Sequence, residues 1–439
     1  MPISLNDSFR KSALTASLFV LLLLWAGCGE TYRPVANPIT KPGGDPQSTH
    51  YAVVLNSNGG LPAAQNGSCS NPSLPTCAIP SATQIDVSGD TNIGNHPVGQ
   101  NPVHAVIGVG FGRAYIVNQG DNTLSTYSPL GGVGATVTTI GLLRPSPLDP
   151  AGNAGASYVA TSTTLAFVVE SALNRVLVID GFQLQVRSYV PVGVNPVTVA
   201  CTFDGRKAYV VNQGSNTVSV ISTKDDTNQK NIPVGSSPGP VAISSDGNYV
   251  FVANQGDGTV SVIDTNTDSE VLPNGARLNV GTNPSQLLWD DSLKRVYVVN
   301  QGSASVSIID AHVFPQSVLT TVTTSPSPVA VAPLADSSKF YVLFLGNPGT
   351  VEVYDAQGFY KRGTITVDNN TLATATPTVN QVLLAASPDS TRVYAVNYNG
   401  ANLTNPLIKG STSIISTLTD SVVLSMDSPS PNPAFVTSQ

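Results

Sequence analysis

The chain has 439 residues and a formal net charge of −7, and only 11% of its residues are charged. Average soluble domains carry about 25% charged residues, and here Gly, Ser, Thr, Asn and Pro take their place, as in turn-rich extracellular β proteins. No cluster of Lys and Arg occurs beyond the first residues. This excludes the electrostatic attraction that non-specific nucleic-acid binding needs, so we expect no nucleic-acid partner.

The start of the chain predicts an export signal. Arg10 and Lys11 precede an apolar run from Ala13 to Ala26. About 14 apolar residues are too few to cross a bilayer comfortably, since a spanning helix needs about 20, so residues 1–27 are predicted to be a signal peptide. Plain secretion and a retained anchor are the alternatives to the lipid attachment described next.

The end of this run, Trp-Ala-Gly-Cys at 25–28, resembles a bacterial lipoprotein signal. The resemblance implies that Cys28 is diacylated and becomes the mature N-terminus, which would hold the protein on the membrane by lipid, facing the periplasm or on the outer-membrane surface. Residues 28–49 follow as a Pro- and Gly-rich segment with no periodicity. They predict a tether, which when extended would reach about 60 Å at about 3.1 Å per residue.

One pattern recurs through the rest of the chain. Residues 208–222 read AYVVNQGSNTVSVIS, and the pattern returns at 114–128, 250–264 and 296–310 and more loosely at 166–180 and 340–355. Apolar and polar residues alternate on both sides of Asn-Gln-Gly, which predicts two half-buried strands. Gly214 can adopt a positive φ and Asn212 can bond its own backbone, which predicts a tight turn between the strands. The unit is therefore a β-hairpin.

A further apolar segment introduced by Pro precedes each hairpin, and a Val-Gly ending follows it. The introducing prolines, each 44 residues after the last, are Pro196, Pro240, Pro284 and Pro328. Four strands per repeat of about 40–45 residues predict the blade of a β-propeller. The fold class is therefore all-β, with a single propeller spanning residues 50–439.

The pattern Tyr-Val-Val-Asn followed by Thr-Val-Ser-Val-Ile-Asp resembles the YVTN-type repeat of bacterial and archaeal envelope proteins, which is related to the lactonase-like propellers. The resemblance covers most of residues 51–439. It implies the propeller fold, and it does not specify an activity because the repeat pattern itself is structural.

The repeats predict eight blades, with seven as the alternative because the third blade is the most degenerate. Blade 1 opens directly on its second strand at 51–55, and it lacks a first strand of its own. The last segment, 432–437, matches the Asn-Pro opening of first strands at Asn195-Pro196. We therefore predict that the C-terminal strand completes blade 1 and removes two open sheet edges.

Connectivity places the loops between second and third strands on the same face as the loops that join blades. Insertions on this face occur at 56–79, 144–155, 368–378 and 398–410. Long loops on a rigid scaffold are where binding usually resides. The candidate ligand-face residues are the glutamines of the Asn-Gln-Gly turns and two residues of the last insertion, namely Gln119, Gln213, Gln255, Gln301, Tyr398 and Asn399.

The cysteines and histidines suggest no cofactor. Cys69 and Cys77 share the first insertion, where a disulfide is natural outside the cytoplasm. Cys201 is expected to be a small buried hydrophobe. The four histidines include no pair at metal-ligand spacing, and no Cys-x-x-Cys-His motif occurs, so no metal, haem or other cofactor is predicted. His104, on an inner strand, is expected to be a hydrogen-bonded histidine.

Two functions remain open. The first is a lipid-anchored, non-enzymatic module that binds or scaffolds an envelope protein or glycan through its decorated face. The second, implied by the lactonase-like resemblance, is a hydrolase related to 6-phosphogluconolactonase that opens a sugar lactone. Such an enzyme needs a convergent charged cluster, and the insertions supply Arg144, Asp149, Asp368 and Lys409. No catalytic residue is assigned.

Membrane attachment is expected to depend on Cys28, because one thiol must carry the lipid and the apolar run is too short to replace it as a span. The Cys28→Ala variant should leave the membrane fraction after fractionation of cells. Unchanged sedimentation with membranes would show that the lipoprotein prediction is wrong.

Overall fold

The computed structural model describes residues 51–57, 80–87, 89–108, 112–145, 148–149, 152, 154–312, 314–344, 349–367, 384–397, 411–427 and 432–438. All of them belong to one compact unit, Pro46–Gln439. The predicted signal peptide, the tether, Cys28, the Cys69–Cys77 pair, Tyr398, Asn399, Asp368 and Lys409 lie outside the described residues. Among those described, no helix is long and apolar enough to cross a membrane.

The described residues form eight antiparallel sheets, each built on four strands that we name A to D from the centre outward. Blade 1 comprises Asn432–Ser438, Tyr51–Ser57, Ser81–Asp86 and Thr91–Pro97; blade 2, Pro102–Gly108, Arg113–Asn118, Thr123–Tyr127 and Thr138–Gly141, with a 3-10 helix at Pro129–Gly134. Blade 3 comprises Ala156–Thr161, Leu165–Glu170, Arg175–Asp180 and Gln185–Pro191; blade 4, Pro196–Cys201, Lys207–Asn212, Thr217–Ser222 and Thr227–Pro233.

Blade 5 comprises Pro238–Ile243, Tyr249–Asn254, Thr259–Asp264 and a D strand divided into Ser269–Val271 and Leu278–Asn279 by a 3-10 helix at Pro273–Gly275; blade 6, Pro284–Asp290, Arg295–Asn300, Ser305–Asp310 and Ser317–Thr323. Blade 7 comprises Pro328–Pro333, Lys339–Phe344, Thr350–Asp355 and Lys361–Thr366; blade 8, Leu384–Ala386, Arg392–Asn397, Ser411–Ser416 and Ser421–Asp427. The A strands contact one another in sequence order around a ring. The prediction of an all-β, eight-bladed propeller is confirmed.

The C-terminal strand closes the ring. Asn432–Ser438 pairs antiparallel with Tyr51–Ser57, with Val54 opposite Val436 and a register shift after Leu55. It also contacts the A strands of blades 2 and 8. The predicted completion of blade 1 by the chain end is therefore confirmed, and the ladder groups of both strands are paired.

Apolar side chains hold neighbouring blades face to face. One cluster joins Tyr209, Val211 and Val220 of blade 4 to Val250 and Val252 of blade 5, and all five side chains are buried. Strand B residues alternate between the two faces of their sheet. Each blade is therefore packed on both sides, which explains why the inner strands read as nearly continuous apolar runs.

Polar groups also link the A strands of neighbouring blades. His104 in blade 2 accepts a hydrogen bond at its Nδ1 from the Val159 amide of blade 3, at 3.3 Å. Thr198 of blade 4 donates to the Gly239 carbonyl of blade 5 at 2.6 Å. Burial lowers the pKa of His104 to about 3, so this histidine is neutral and structural, as expected.

The Pro that opens strand A of blade 5 is Pro238, and the assignment to Pro240 is wrong. Pro238 lies opposite Asn254, as Pro196 lies opposite Asn212 and Pro284 opposite Asn300. The regular spacing misled because the extra residues of blade 5 lie later, in its divided D strand. Two prolines close together at 238 and 240 made the shifted assignment fit the period.

We call the face with the B–C and D–A connections the top and the opposite face the bottom. On the bottom face, a basic residue that opens a B strand pairs with an aspartate in the C–D connection of the next blade. Lys207 Nζ lies 2.8 Å from Asp268 Oδ2, and Arg392 Nη2 lies 2.7 Å from Asp90 Oδ2. The second pair joins blade 8 to blade 1, so it reinforces the closure made by the C-terminal strand.

Removal of residues 431–439 should lower the melting temperature by about 10 °C or cause aggregation. The deletion leaves a ladder of about six hydrogen bonds on Tyr51–Ser57 unpaired, at about 1 kcal/mol each. Calorimetry on this variant, with removal of Gln439 alone as the control, checks the expectation. An unchanged transition would mean that the closing strand contributes little to stability.

Candidate functional site

The Asn-Gln-Gly turns form a repeated structure on the top face. In blade 4, Asn212 is fully buried, and its Nδ2 donates to Thr217 Oγ1 at 3.2 Å and to Ser219 Oγ at 2.9 Å. The equivalent asparagines of blades 2, 5 and 6 donate in the same way. The asparagine thus ties strand B to side-chain hydroxyls of strand C, and not to its own backbone as the turn chemistry suggested.

The glycine of the turn has a role different from the one that the sequence suggested. Gly214 does not adopt a positive φ; the residue that does is Asn216, at 54°. A Cβ on Gly214 would lie 2.9 Å from Val194 Cγ1 and 3.0 Å from the Val194 carbonyl oxygen. Glycine is needed because the turn packs closely against the D–A loop, to which Gly214 N–H donates at 2.9 Å.

The four turn glutamines are half-buried and are oriented by neighbouring amides. Asn101 donates to Gln119 Oε1 at 3.3 Å, Asn195 to Gln213 Oε1 at 3.4 Å, and Asn283 to Gln301 Oε1 at 3.2 Å. Gln213 in turn donates from Nε2 to Gln255 Oε1 at 3.3 Å, which joins blades 4 and 5. The amide oxygens are therefore engaged on all four glutamines.

Three glutamine Nε2 groups remain as donors. Those of Gln119, Gln255 and Gln301 have no hydrogen-bond partner among the described residues, whereas that of Gln213 is engaged. The structure thus places the predicted glutamines on one face but on blades 2, 4, 5 and 6. Blades 2 and 4 are separated by blade 3, where Ser171 stands at the glutamine position.

Blade 3 replaces the Asn–Thr pair with a buried ionic cluster. Glu170 stands at the asparagine position and Arg175 at the threonine position, and Arg175 Nε binds Glu170 Oε2. Arg175 also binds both carboxylate oxygens of Asp149, at 2.8 and 2.7 Å. All three side chains are buried. The cluster therefore fixes the D–A loop between blades 2 and 3 onto the third blade.

The pKa values of the two carboxyl groups in this cluster, on Glu170 and Asp149, shift in opposite directions. Burial raises the pKa of Glu170 to about 7, partly offset by Arg175. The hydrogen bond from Arg175 lowers the pKa of Asp149 to about 2.

Arg144 adds two further contacts to this cluster. Its backbone N–H donates to Asp149 Oδ2 at 2.6 Å. The guanidinium carbons of Arg144 and Arg175 lie 4.4 and 4.6 Å from the Tyr189 ring centroid, so stacking adds to the ion pairs.

Two of the four charged residues that the sequence offered from the insertions lie close together in the structure. Arg144 and Asp149, offered by the sequence for hydrolysis, do come together, but around Arg175 and Glu170, which sequence reasoning missed. The available signal was the break in the repeat, where SALNR at 171–175 replaces the Gln-Gly-Ser-Asn-Thr of blade 4. Glu170 and Arg175 are five residues apart, as are Asn212 and Thr217, which they replace. A charged pair in place of a neutral pair indicates that each charge requires the other.

The ends of the two large B–C insertions lie on neighbouring blades. Ser57 and Ser81 bound the insertion of blade 1, and Asn397 and Ser411 bound that of blade 8. Blades 8 and 1 are adjacent because the C-terminal strand closes the ring. No group of three or more His, Cys, Asp or Glu that could hold a metal occurs within the described ranges.

A family model described as lactonase, 7-bladed β-propeller, matches residues 204–333. This segment runs from the A–B hairpin of blade 4 to the A strand of blade 7 and is less than a third of the chain. These blades are thus similar to those of the lactonase propeller model, while the whole ring has eight blades and not seven. No curated protein sequence matches the chain.

Solved structures share the propeller fold at low sequence identity. Apo AztD from Citrobacter koseri is similar with a TM-score of 0.62 and 10% identity, covering 89% of this chain and 98% of its own. Dihydro-heme d1 dehydrogenase NirN in complex with DHE gives 0.60 and 13%, covering 93% and 78%. Kuenenia stuttgartiensis hydrazine synthase gives 0.51 and 17%, covering 74% and 98%. At these identities the similarity shows the fold alone.

The Arg175→Met variant should lose about 3–5 kcal/mol of stability at pH 8, because it leaves two buried carboxylates without their guanidinium. The loss should be smaller at pH 5, where Glu170, with a pKa near 7, is protonated and no longer needs the positive charge. Denaturant unfolding at both pH values measures the difference. Arg187→Met is the matched control, since its ion pair with Asp226 is partly exposed and should be worth less than about 1 kcal/mol. Equal losses in both variants would contradict a buried cluster.

Proposed function

We propose that this propeller is a non-enzymatic binding module of the cell envelope, attached through lipid at Cys28, and that its top face binds a neutral glycan. The observation that carries the proposal is the orientation of the turn glutamines. Their amide oxygens are engaged by neighbouring amides, which leaves N–H donors on Gln119, Gln255 and Gln301.

The chemistry of this face favours an uncharged ligand rich in acceptors. Amide donors bind hydroxyl and carbonyl oxygens, and the turns carry few charges of their own. Asp121 and Asp257, beside two of the turns, already accept bonds from the backbone amides of Gln100 and Ser236. A glycan offers many hydroxyl acceptors without charge, which is why we favour it over an envelope protein.

The insertions of blades 1 and 8 are proposed to extend this face. Their bounding residues lie on adjacent blades at the same end of the strands, so segments far apart in sequence begin side by side. In this proposal Tyr398 and Asn399 supply further contacts, and a Cys69–Cys77 disulfide lowers the ordering cost of the first insertion.

The charged cluster of blade 3 supports a structural role over a catalytic one. Glu170 is fully buried, and Arg175 binds both Glu170 and Asp149. A general acid or base must reach the proton that it transfers. The cluster instead anchors the D–A loop between blades 2 and 3.

The Gln255→Ala/Gln301→Ala double variant should weaken glycan binding about tenfold or more, because two hydrogen bonds at about 1 kcal/mol each are lost. Binding to an array of uncharged envelope glycans measures this. Gln357→Ala, in the C–D connection of blade 7 on the bottom face, is the matched control and should bind as the parent does.

Replacement of residues 58–79 by a short turn tests whether the blade 1 insertion contributes to binding in addition to the turn glutamines. A folded variant with weakened capture would place the insertion in the site as well. If both variants bind the same glycans as the parent, the top-face proposal is wrong. If the parent captures an envelope protein and no glycan, the proposed ligand class is wrong and the ligand is a protein.

The second candidate is a lactone hydrolase. The observation that favours it is the match of residues 204–333 to the lactonase propeller model. Purified protein should then open 6-phosphogluconolactone faster than the spontaneous reaction, with saturation by substrate. A rate equal to the spontaneous one would remove this candidate.

A further inference from the structure

Large apolar side chains are exposed unevenly over the described residues. Those between strands A and B or C and D are Leu130, Phe182, Phe203, Phe314, Tyr360 and Leu418, with exposed fractions of 57 to 74%. On the D–A connections of the top face the exposed ones are Leu148 and Val194. All four exposed aromatic residues within the described ranges therefore belong to bottom-face connections.

Contacts within the protein hold the turns that carry Phe182 and Phe314. Asp180 Oδ1 accepts from the backbone N–H of Phe182 and of Gln183, each at 2.8 Å. Phe314, which is 67% exposed, stacks against Tyr249 of the neighbouring blade with ring centroids 6.5 Å apart. At these two positions, contacts within the protein therefore hold the turn from which the exposed aromatic side chain projects.

The N-terminal segment of the chain joins the bottom face. Strand B of blade 1 begins at Tyr51, opposite Asp86 at the bottom end of strand C. The chain therefore joins the propeller at this face, and the residues that precede Tyr51 include Cys28, the proposed site of lipid attachment. The predicted tether, residues 28–49, thus connects to the propeller at the face that exposes aromatic residues.

We propose that the bottom face lies against a lipid bilayer and that its apolar tips insert into the interfacial region. Aromatic side chains prefer this depth, and each apolar tip that inserts adds the free energy of its burial to the attachment that the proposed lipid on Cys28 makes. With a net charge of −7, the chain is not attracted to anionic headgroups. The surface that fits it is a bilayer of zwitterionic lipid.

This placement directs the top face away from the membrane. The tether fixes distance only loosely, whereas contacts at several points around a rim fix orientation. The proposal is independent of what the top face binds, because it concerns the opposite face and different residues.

Tryptophan depth measurements on the processed full-length protein test the proposal. Trp25 lies in the predicted signal peptide that processing removes, so the background needs only Trp289→Phe. One tryptophan is then introduced on the bottom face by Phe314→Trp or Phe203→Trp, or on the top face by Val194→Trp or Leu148→Trp. All four sites are exposed, so the fold should be retained, and circular dichroism checks this. Each variant is mixed with phosphatidylcholine vesicles with or without brominated acyl chains.

Brominated lipid should quench the bottom-face tryptophans by about half and leave the top-face ones unchanged, because interfacial groups lie about 5–10 Å into the bilayer. Addition of phosphatidylglycerol should weaken quenching. Equal quenching on both faces, or none on either, would overturn the proposal. Bottom-face tryptophans that are shielded from an aqueous quencher but not quenched by brominated lipid would overturn it too, and would assign the face to a protein partner or a second copy of the chain.

Discussion

The pairing of Asn432–Ser438 with Tyr51–Ser57 is the interaction on which the rest of the molecule depends. It converts a linear series of blades into a ring, in which each sheet is packed on both faces. The Arg392–Asp90 pair, between residues 302 positions apart in sequence, connects the same two blades on the bottom face. Two kinds of interaction, backbone hydrogen bonds and an ion pair, therefore stabilise the closure of the ring.

Ring closure also gives the protein two distinct faces. The top face carries neutral amides whose oxygens are engaged and whose N–H groups are available in blades 2, 5 and 6. The bottom face carries Lys–Asp and Arg–Asp pairs between blades and exposed aromatic tips. A propeller separates its faces in this way because successive connections alternate between the two ends of its strands.

Blade 3 shows how a repeat tolerates a local change of chemistry. Replacing Asn and Thr by Glu170 and Arg175 would be costly if only one were changed, since a buried charge would lack a partner. Asp149 completes the cluster from the preceding loop. The degenerate repeat of blade 3 is thus a full four-stranded blade in which buried ion pairs replace the Asn–Thr hydrogen bond. For this reason, counting by motif alone left seven blades as an alternative.

The sequence by itself determined the fold class and the closing strand and favoured eight blades over seven, because alternation and period are local properties that every repeat restates. It also identified which glutamines share a face. It misplaced the opening of blade 5 at Pro240 and assigned a positive φ to Gly214, because a divided D strand and a close backbone approach are set by neighbours in space. Only the tertiary structure brought Asp149 to Arg175 and oriented Gln213 toward Gln255, since each contact joins side chains of different blades or loops that folding, and not the local sequence, makes adjacent.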